Sequence, residues 1–96
     1  MTPAKVLEVI AIYRKKLEDL QIPKEEFPHT VFARVGSTDE CRIPTLAHCH
    51  KMLDQMEVFV REGRMEKVFR WIGFIQGVLW RCGLYTIEEM KEHNRP

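Results

Sequence analysis

The sequence predicts an all-α fold: an N-terminal helix, an ordered connector, an antiparallel helical hairpin and a short C-terminal helix, assembled as a homo-oligomer. Three observations predict it. Apolar residues recur at spacings of three and four along most of the chain. The helix breakers Pro23, Pro28, Gly36 and Pro44 cluster in one stretch between the first helix and the rest. The 96 residues suffice for one domain, residues 1–96, but not for a large core, so self-association is the expected source of further buried surface.

The first helix is expected from about Ala4 to Leu20. Thr2 is placed to cap it and Pro3 to occupy its first position. Val6, Ile10, Tyr13, Leu17 and Leu20 form its apolar stripe, which Val9 and Ile12 widen. Glu8, Arg14, Lys15, Glu18 and Asp19 fall on the wetter side. Residues 21–44 read as a connector. Thr30 to Val35 suits a short extended segment, and Gly36 to Asp39 a turn. A connector of this length is commonly functional, but Phe27, Val31 and Phe32 equally suit an arm that fills gaps in the core.

The second helix is expected over Leu46 to Glu62, with Thr45 as its N-cap and Gly63 as its terminator. Leu46, Cys49, Leu53, Met56 and Val60 make its inner stripe. The third begins near Arg64 and ends before Gly83, with Val68, Ile72, Ile75, Leu79 and Cys82 facing inward. A connection this short around Gly63 predicts antiparallel neighbours. Leu84 after Gly83 suits a Schellman-type end. Thr86-Ile87-Glu88-Glu89 matches a capping box that opens a short helix to about Glu92, followed by a polar tail.

Charge excludes one class of function. Fifteen Lys and Arg against 14 Asp and Glu leave a net charge of +1, too little to grip a long nucleic acid by bulk charge. The third helix is also too apolar for a helix-turn-helix reader. The most apolar window, Val68 to Tyr85, is interrupted by Arg70 and Arg81, so no membrane span is expected. The N-terminus lacks the pattern of a signal peptide, and an odd cysteine count suits a reducing compartment.

Catalytic and metal chemistry find little support in the sequence. Cys41, His48, Cys49 and His50 do not follow a compact zinc spacing, and His48 and His50 point apart on a helix. Cys49 and Cys82 suit small core positions. Glu25-Glu26 has no feature that marks a catalytic pair, and Glu88-Glu89 is accounted for by a helix start. There is no glycine-rich phosphate loop. Neither an enzyme nor a cofactor is expected.

The third helix carries the functional signal. On a wheel of about 100° per residue, Lys67, Arg70, Phe74, Gly77 and Arg81 share one side. Basic groups, a ring and bare backbone together suit a flat, negatively charged ligand, although a solvated charged face has the same composition. Gly73 and Gly77, four residues apart, each weaken a helix by roughly 1 kcal/mol relative to alanine. Close packing against a helix or subunit would account for both. Gln76 between them suits a bridge across such a contact or a position facing water. Trp71, Gly73, Phe74, Gly77 and Trp80 are therefore the expected interface residues.

The run from Arg61 to Gly77, REGRMEKVFRWIGFIQG, with the continuation Tyr85-Thr86-Ile87-Glu88-Glu89 and the end His93-Asn94-Arg95, resembles the small phage proteins that act as cyclic-oligonucleotide sponges against CBASS, the bacterial cyclic-oligonucleotide-based anti-phage signalling system. The resemblance covers most of the chain. It implies a non-enzymatic protein in the cytoplasm of the infected bacterial host, a hexamer of helical subunits that sequesters cyclic dinucleotides between subunits, with cyclic trinucleotides bound by some members. It implies that Tyr13 packs on the ligand, that Thr30 and Arg70 contact phosphate, that Lys24 is the nearest match to a connector lysine, and that Asn94 completes a pocket. From the residues alone, Tyr13 also fits the core stripe, Thr30 the start of the extended segment and Arg70 a solvated surface. The alternative reading is a phage or plasmid adaptor that inhibits a host protein by direct binding through the exposed aromatics.

Overall fold

The computed structural model describes residues 1–26 and 38–96, with residues 38–41 described as backbone only. Four helices make up the described chain: α1 (Pro3–Asp19), α2 (Thr38–Arg61), α3 (Met65–Arg81) and α4 (Ile87–Asn94). No strand occurs among the described residues. The expected extended segment from Thr30 to Val35 lies outside them.

The helix starts follow the expected chemistry. Thr2 caps α1 by accepting from the Lys5 backbone N–H at 3.1 Å, and Pro3 stands just inside. At α4 the capping box is complete: Thr86 Oγ1 accepts from the Glu89 N–H, and the Glu89 carboxylate accepts from the Thr86 N–H. These bonds hold the Glu89 carboxyl below the usual range.

Three helix ends use one device. Beyond α2, Gly63 has φ 77°, its N–H reaches the Val60 carbonyl, and the Arg64 N–H reaches Phe59. Gly83 has φ 79° after α3 and repeats the pattern, with Leu84 bonding Leu79. These are Schellman ends, which satisfy otherwise orphaned carbonyls through a left-handed residue. After α1 the left-handed residue is Gln21, at φ 59°, with Ile22 bonding Leu17.

The core is one apolar cluster. Val6, Val9, Ile10, Tyr13 and Leu17 enter it from α1, and Leu46, Cys49, Leu53, Met56 and Val60 from α2. Val68, Ile72, Ile75 and Leu79 complete it from α3. α2 packs on both α1 and α3, and α4 packs on α1. The turn Glu62-Gly63-Arg64 joins α2 to α3, and the start of α2 reaches the end of α3, where Arg42 donates from Nε and Nη2 to the Cys82 carbonyl at 3.2 and 3.1 Å. That carbonyl lies at the negative end of a helix, where a cation is favoured.

Three expectations need correction. α2 begins at Thr38, not Leu46, so Thr45 lies within the helix and Thr38 and Asp39 are helical. Pro44 removes one N–H donor and crowds the carbonyl four residues before it, which costs about 3 kcal/mol in a helix interior. The two hydrogen bonds from Arg42 tie the turn that contains Pro44 to the end of α3. Leu20 is the C-cap of α1 and 46% exposed, outside the stripe assigned to it. α4 extends to Asn94, so His93 and Asn94 project from a helix rather than a tail.

Candidate functional site

Two constellations contain the residues of interest. The first is a polar cluster buried where α1, α3 and α4 meet. Tyr13 has 0% exposure. Its hydroxyl accepts from Gln76 Nε2 at 3.0 Å and lies 3.0 Å from His93 Nδ1. With an acceptor site used by Gln76, the phenol proton is free to point at Nδ1, an arrangement that puts the proton of a neutral His93 on Nε2. Gln76 also donates to Asn94 Oδ1 at 2.8 Å, and Asn94 Nδ2 returns a bond to Gln76 Oε1 at 3.3 Å. The Tyr85 ring closes the cluster, 5.4 Å from Tyr13 and 4.8 Å, edge-on, from His93. Lys16 Nζ sits over Tyr85 at 5.6 Å. Burial pushes the Tyr13 hydroxyl up to about 12; the Gln76 bond works against this, and Tyr85 adds to it.

Tyr13 and Asn94 therefore do come together, across 81 positions of sequence. They meet through Gln76, and the Tyr13 ring is enclosed, so it offers no open face to a ligand in this conformation. Gln76 neither bridges an outer contact nor faces water: its amide is turned inward. Sequence reasoning missed Gln76 and His93 as partners of Tyr13, since nothing local signals a contact between residues so far apart.

The second constellation is the outward face of α3. Phe69 is 44% exposed, Phe74 53% and Trp80 50%. Gly73 and Gly77 are exposed between them, and a Cβ built on either would meet no atom within 4 Å. Among the described residues, no helix packs on the glycine pair. Arg70 and Arg81 are exposed on the same face, and neither has an ion-pair partner among the described residues. Trp71 lies apart from this face, and Lys67, beside Phe74 at its edge, turns toward Phe59. Trp71 packs edge-on to Phe59 with ring centroids 4.9 Å apart, and Lys67 Nζ lies 4.8 Å from the Phe59 ring and 5.8 Å from Trp71.

Lys24 belongs to neither group. It pairs with Asp54 at 3.0 Å, and Arg14 joins Asp54 at 3.0 Å and Glu57 at 2.9 Å, with Arg61 on the far side of Glu57 at 2.8 Å. This chain of charges ties α1 and the start of the connector to α2. Burial acts to raise the Asp54 carboxyl, but the bonds and charges of Lys24 and Arg14 outweigh it and hold it low. Glu57 is lowered by its bonds to Arg61 and then Arg14. Thr30 lies outside the described residues.

An open depression of about 330 Å³ lies beside Trp71, lined by Glu26, His48, Lys51, Met52 and Gln55. None of the expected ligand residues borders it. His50 is buried and donates from Nδ1 to the Ile22 carbonyl at 2.8 Å, which fastens the connector to α2. Among the described residues, no group of three or more His, Cys, Asp or Glu could hold a metal ion; the Cys41 side chain lies outside them. Burial pushes the Cys49 thiol up to about 12, away from the thiolate that a nucleophile needs. No helix among the described residues is long and apolar enough to cross a membrane. No family model, curated protein or solved structure matches the chain.

Proposed function

We propose that this chain is a non-catalytic binding protein that assembles as a homo-oligomer and sequesters cyclic dinucleotides, and with them some cyclic trinucleotides, in the cytoplasm of a phage-infected bacterium. The ligand class, the hexameric assembly and the setting come from the resemblance of the Arg61–Gly77 run and the Tyr85–Arg95 end to anti-CBASS sponges. One structural observation supports the reading: on the outward face of α3, Arg70 and Arg81 stand without ion-pair partners among the described residues, beside three half-exposed aromatic rings. Guanidinium forks suit phosphate, and rings suit bases.

The roles within this reading follow the placement of each residue. Arg70 is the phosphate contact. Tyr13 and Asn94 hold α4 against α1 and α3, and a ligand reaches the Tyr13 ring only if Tyr85 and His93 move aside. Lys24 reaches a phosphate only by leaving Asp54.

Calorimetry against a panel of cyclic di- and trinucleotides tests the reading, followed by heat release and chromatography of the ligand. Arg70→Ala is expected to weaken binding by about tenfold or more, the worth of one charged hydrogen bond, without loss of helix content. The released ligand keeps its original mass. Absence of heat with every ligand favours the adaptor that inhibits a host protein through the same aromatics. A product that accumulates with time establishes an enzyme instead.

A further inference from the structure

We infer that α4 is a strap that unlatches as one unit while α1, α2 and α3 stay folded, and that each opening uncovers the hydroxyl edge of Tyr13 and the Gln76 amide. The inference goes beyond the binding role proposed above and depends on no ligand.

The contacts divide along one plane. The capping box joins Thr86 to Glu89, Lys91 pairs with Glu88, and Arg95 pairs with Glu92. These bonds lie within α4 and its caps, so they travel with the helix. On the other side of the plane, the bond from Leu84 to Leu79 closes the end of α3 and stays with α3. The side-chain bonds that cross are those of the inner cluster: Tyr13 with His93 at 3.0 Å, and Gln76 with Asn94 at 2.8 and 3.3 Å. Among the described residues, no ion pair ties α4 to another helix. α1 differs, because Arg14 holds it to α2 through Asp54 and Glu57.

Apolar burial divides the same way. Met90 is the one buried residue of α4, whereas α1 buries Val6, Val9, Ile10, Tyr13 and Leu17, and α3 buries Val68, Ile72, Ile75 and Leu79. Opening the strap therefore exposes a small part of the apolar surface that global unfolding exposes, and its free-energy cost is correspondingly smaller. An eight-residue helix is also too short to persist in water without packing, so the polar latch controls whether α4 is formed at all.

The position of Gln76 gives the opening a consequence. Gln76 lies one helical turn from Trp80, whose ring is half exposed. Opening thus adds a phenol hydroxyl and an amide to the edge of the outward aromatic face of α3. In the closed form α4 withholds both, so the strap sets how much of α3 another molecule can reach.

Native-state hydrogen exchange of the full chain across low urea concentrations tests the strap. The Met90–Asn94 amides are expected to be protected about tenfold or more less than the α2 amides around Leu53 and Met56, with a shallower urea dependence. Val60→Ala, in the core at the far end of α2, is expected to speed α2 exchange about fivefold or more and to leave α4 exchange within about twofold. Asn94→Ala removes one crossing pair and is expected to speed α4 exchange about fivefold or more. Lys91→Ala, which breaks only a bond internal to α4, leaves it within about twofold. Equal protection and equal urea dependence in α4 and α2 overturn the proposal, as does a Val60→Ala variant that speeds both alike. Unchanged α4 exchange in Asn94→Ala overturns the polar latch.

Discussion

Two sets of aromatic residues divide this molecule. Around Tyr13, the rings of Tyr85 and His93 are packed edge to face and the Tyr13 hydroxyl is partnered on both sides. On α3, Phe69, Phe74 and Trp80 stand about half exposed. The same helix serves both: Gln76 points inward to the first set, while Gly77, one residue on, opens the second. A buried hydroxyl without partners would be destabilising by about 1–3 kcal/mol, so the inner set must be complete within the chain. The outer rings carry no polar atom of that kind except the indole N–H of Trp80, so they tolerate exposure to water. Completeness within the chain marks the structural cluster here, and the open set is the one left to the proposed binding role.

Tyr13→Ala breaks the contrast most severely. It opens a cavity in the core and strips Gln76 and His93 of a shared partner, and is expected to destabilise the chain by about 3–5 kcal/mol in urea unfolding. A loss under ~1 kcal/mol would mean that the inner set is no more structural than the outer. Alkaline pH probes the same hydroxyl without mutation. Its pKa is raised from 10.0 to about 12, so its contribution is intact below pH 10 and falls as pH rises toward 12. The decline is at most ~1.4 kcal/mol per pH unit, on the order of 2–3 kcal/mol in all. Stability followed alongside tyrosinate absorbance checks this, and a flat profile in that window contradicts it.

Smaller effects sharpen the comparison. Asp54 and Glu57 have lowered pKa values in the fold, so their ties to Lys24, Arg14 and Arg61 contribute above the ordinary carboxylate range and are lost as pH falls through the lowered values. Exposed pairs of this kind are worth about 0.2–1 kcal/mol each. Asp54→Asn is expected to flatten part of the acid limb of the stability profile. Phe74→Ser belongs at the bottom of the scale: in dilute protein its effect on unfolding stays within about 0.5 kcal/mol, because nothing of the inner cluster touches it. A large loss there would place Phe74 in the core.

Much of the fold was legible because local rules govern it. The periodic stripes of α1, α2 and α3, the Thr2 cap, the Thr86–Glu89 capping box and the glycines after α2 and α3 are each set by residues within one or two turns. The start of α2 was not legible, because Pro44 reads locally as a stop, and the contact from Arg42 to Cys82 that holds the preceding turn spans 40 residues. The same distinction runs through the candidate sites. The basic and aromatic composition of α3 is visible in its sequence, and so is the glycine pair. Periodicity places Tyr13 on a stripe without saying that its hydroxyl meets Gln76 and His93. The interface expectation groups Trp71 with Phe74 and Trp80 without revealing that Phe59 lies against it. Lys24 looks like a free cation until Asp54, 30 residues on, is placed beside it.

The end of α1 has a consequence for engineering. Gln21 occupies the left-handed position that Gly63 and Gly83 hold at the other two ends, where an L side chain is strained by about 1–2 kcal/mol. The backbone bonds of that turn are already made, and the Gln21 side chain is exposed, so a glycine would relieve strain without disturbing a neighbour. Gln21 is thus a reserve of thermostability in the sequence, available to anyone who needs a sturdier scaffold.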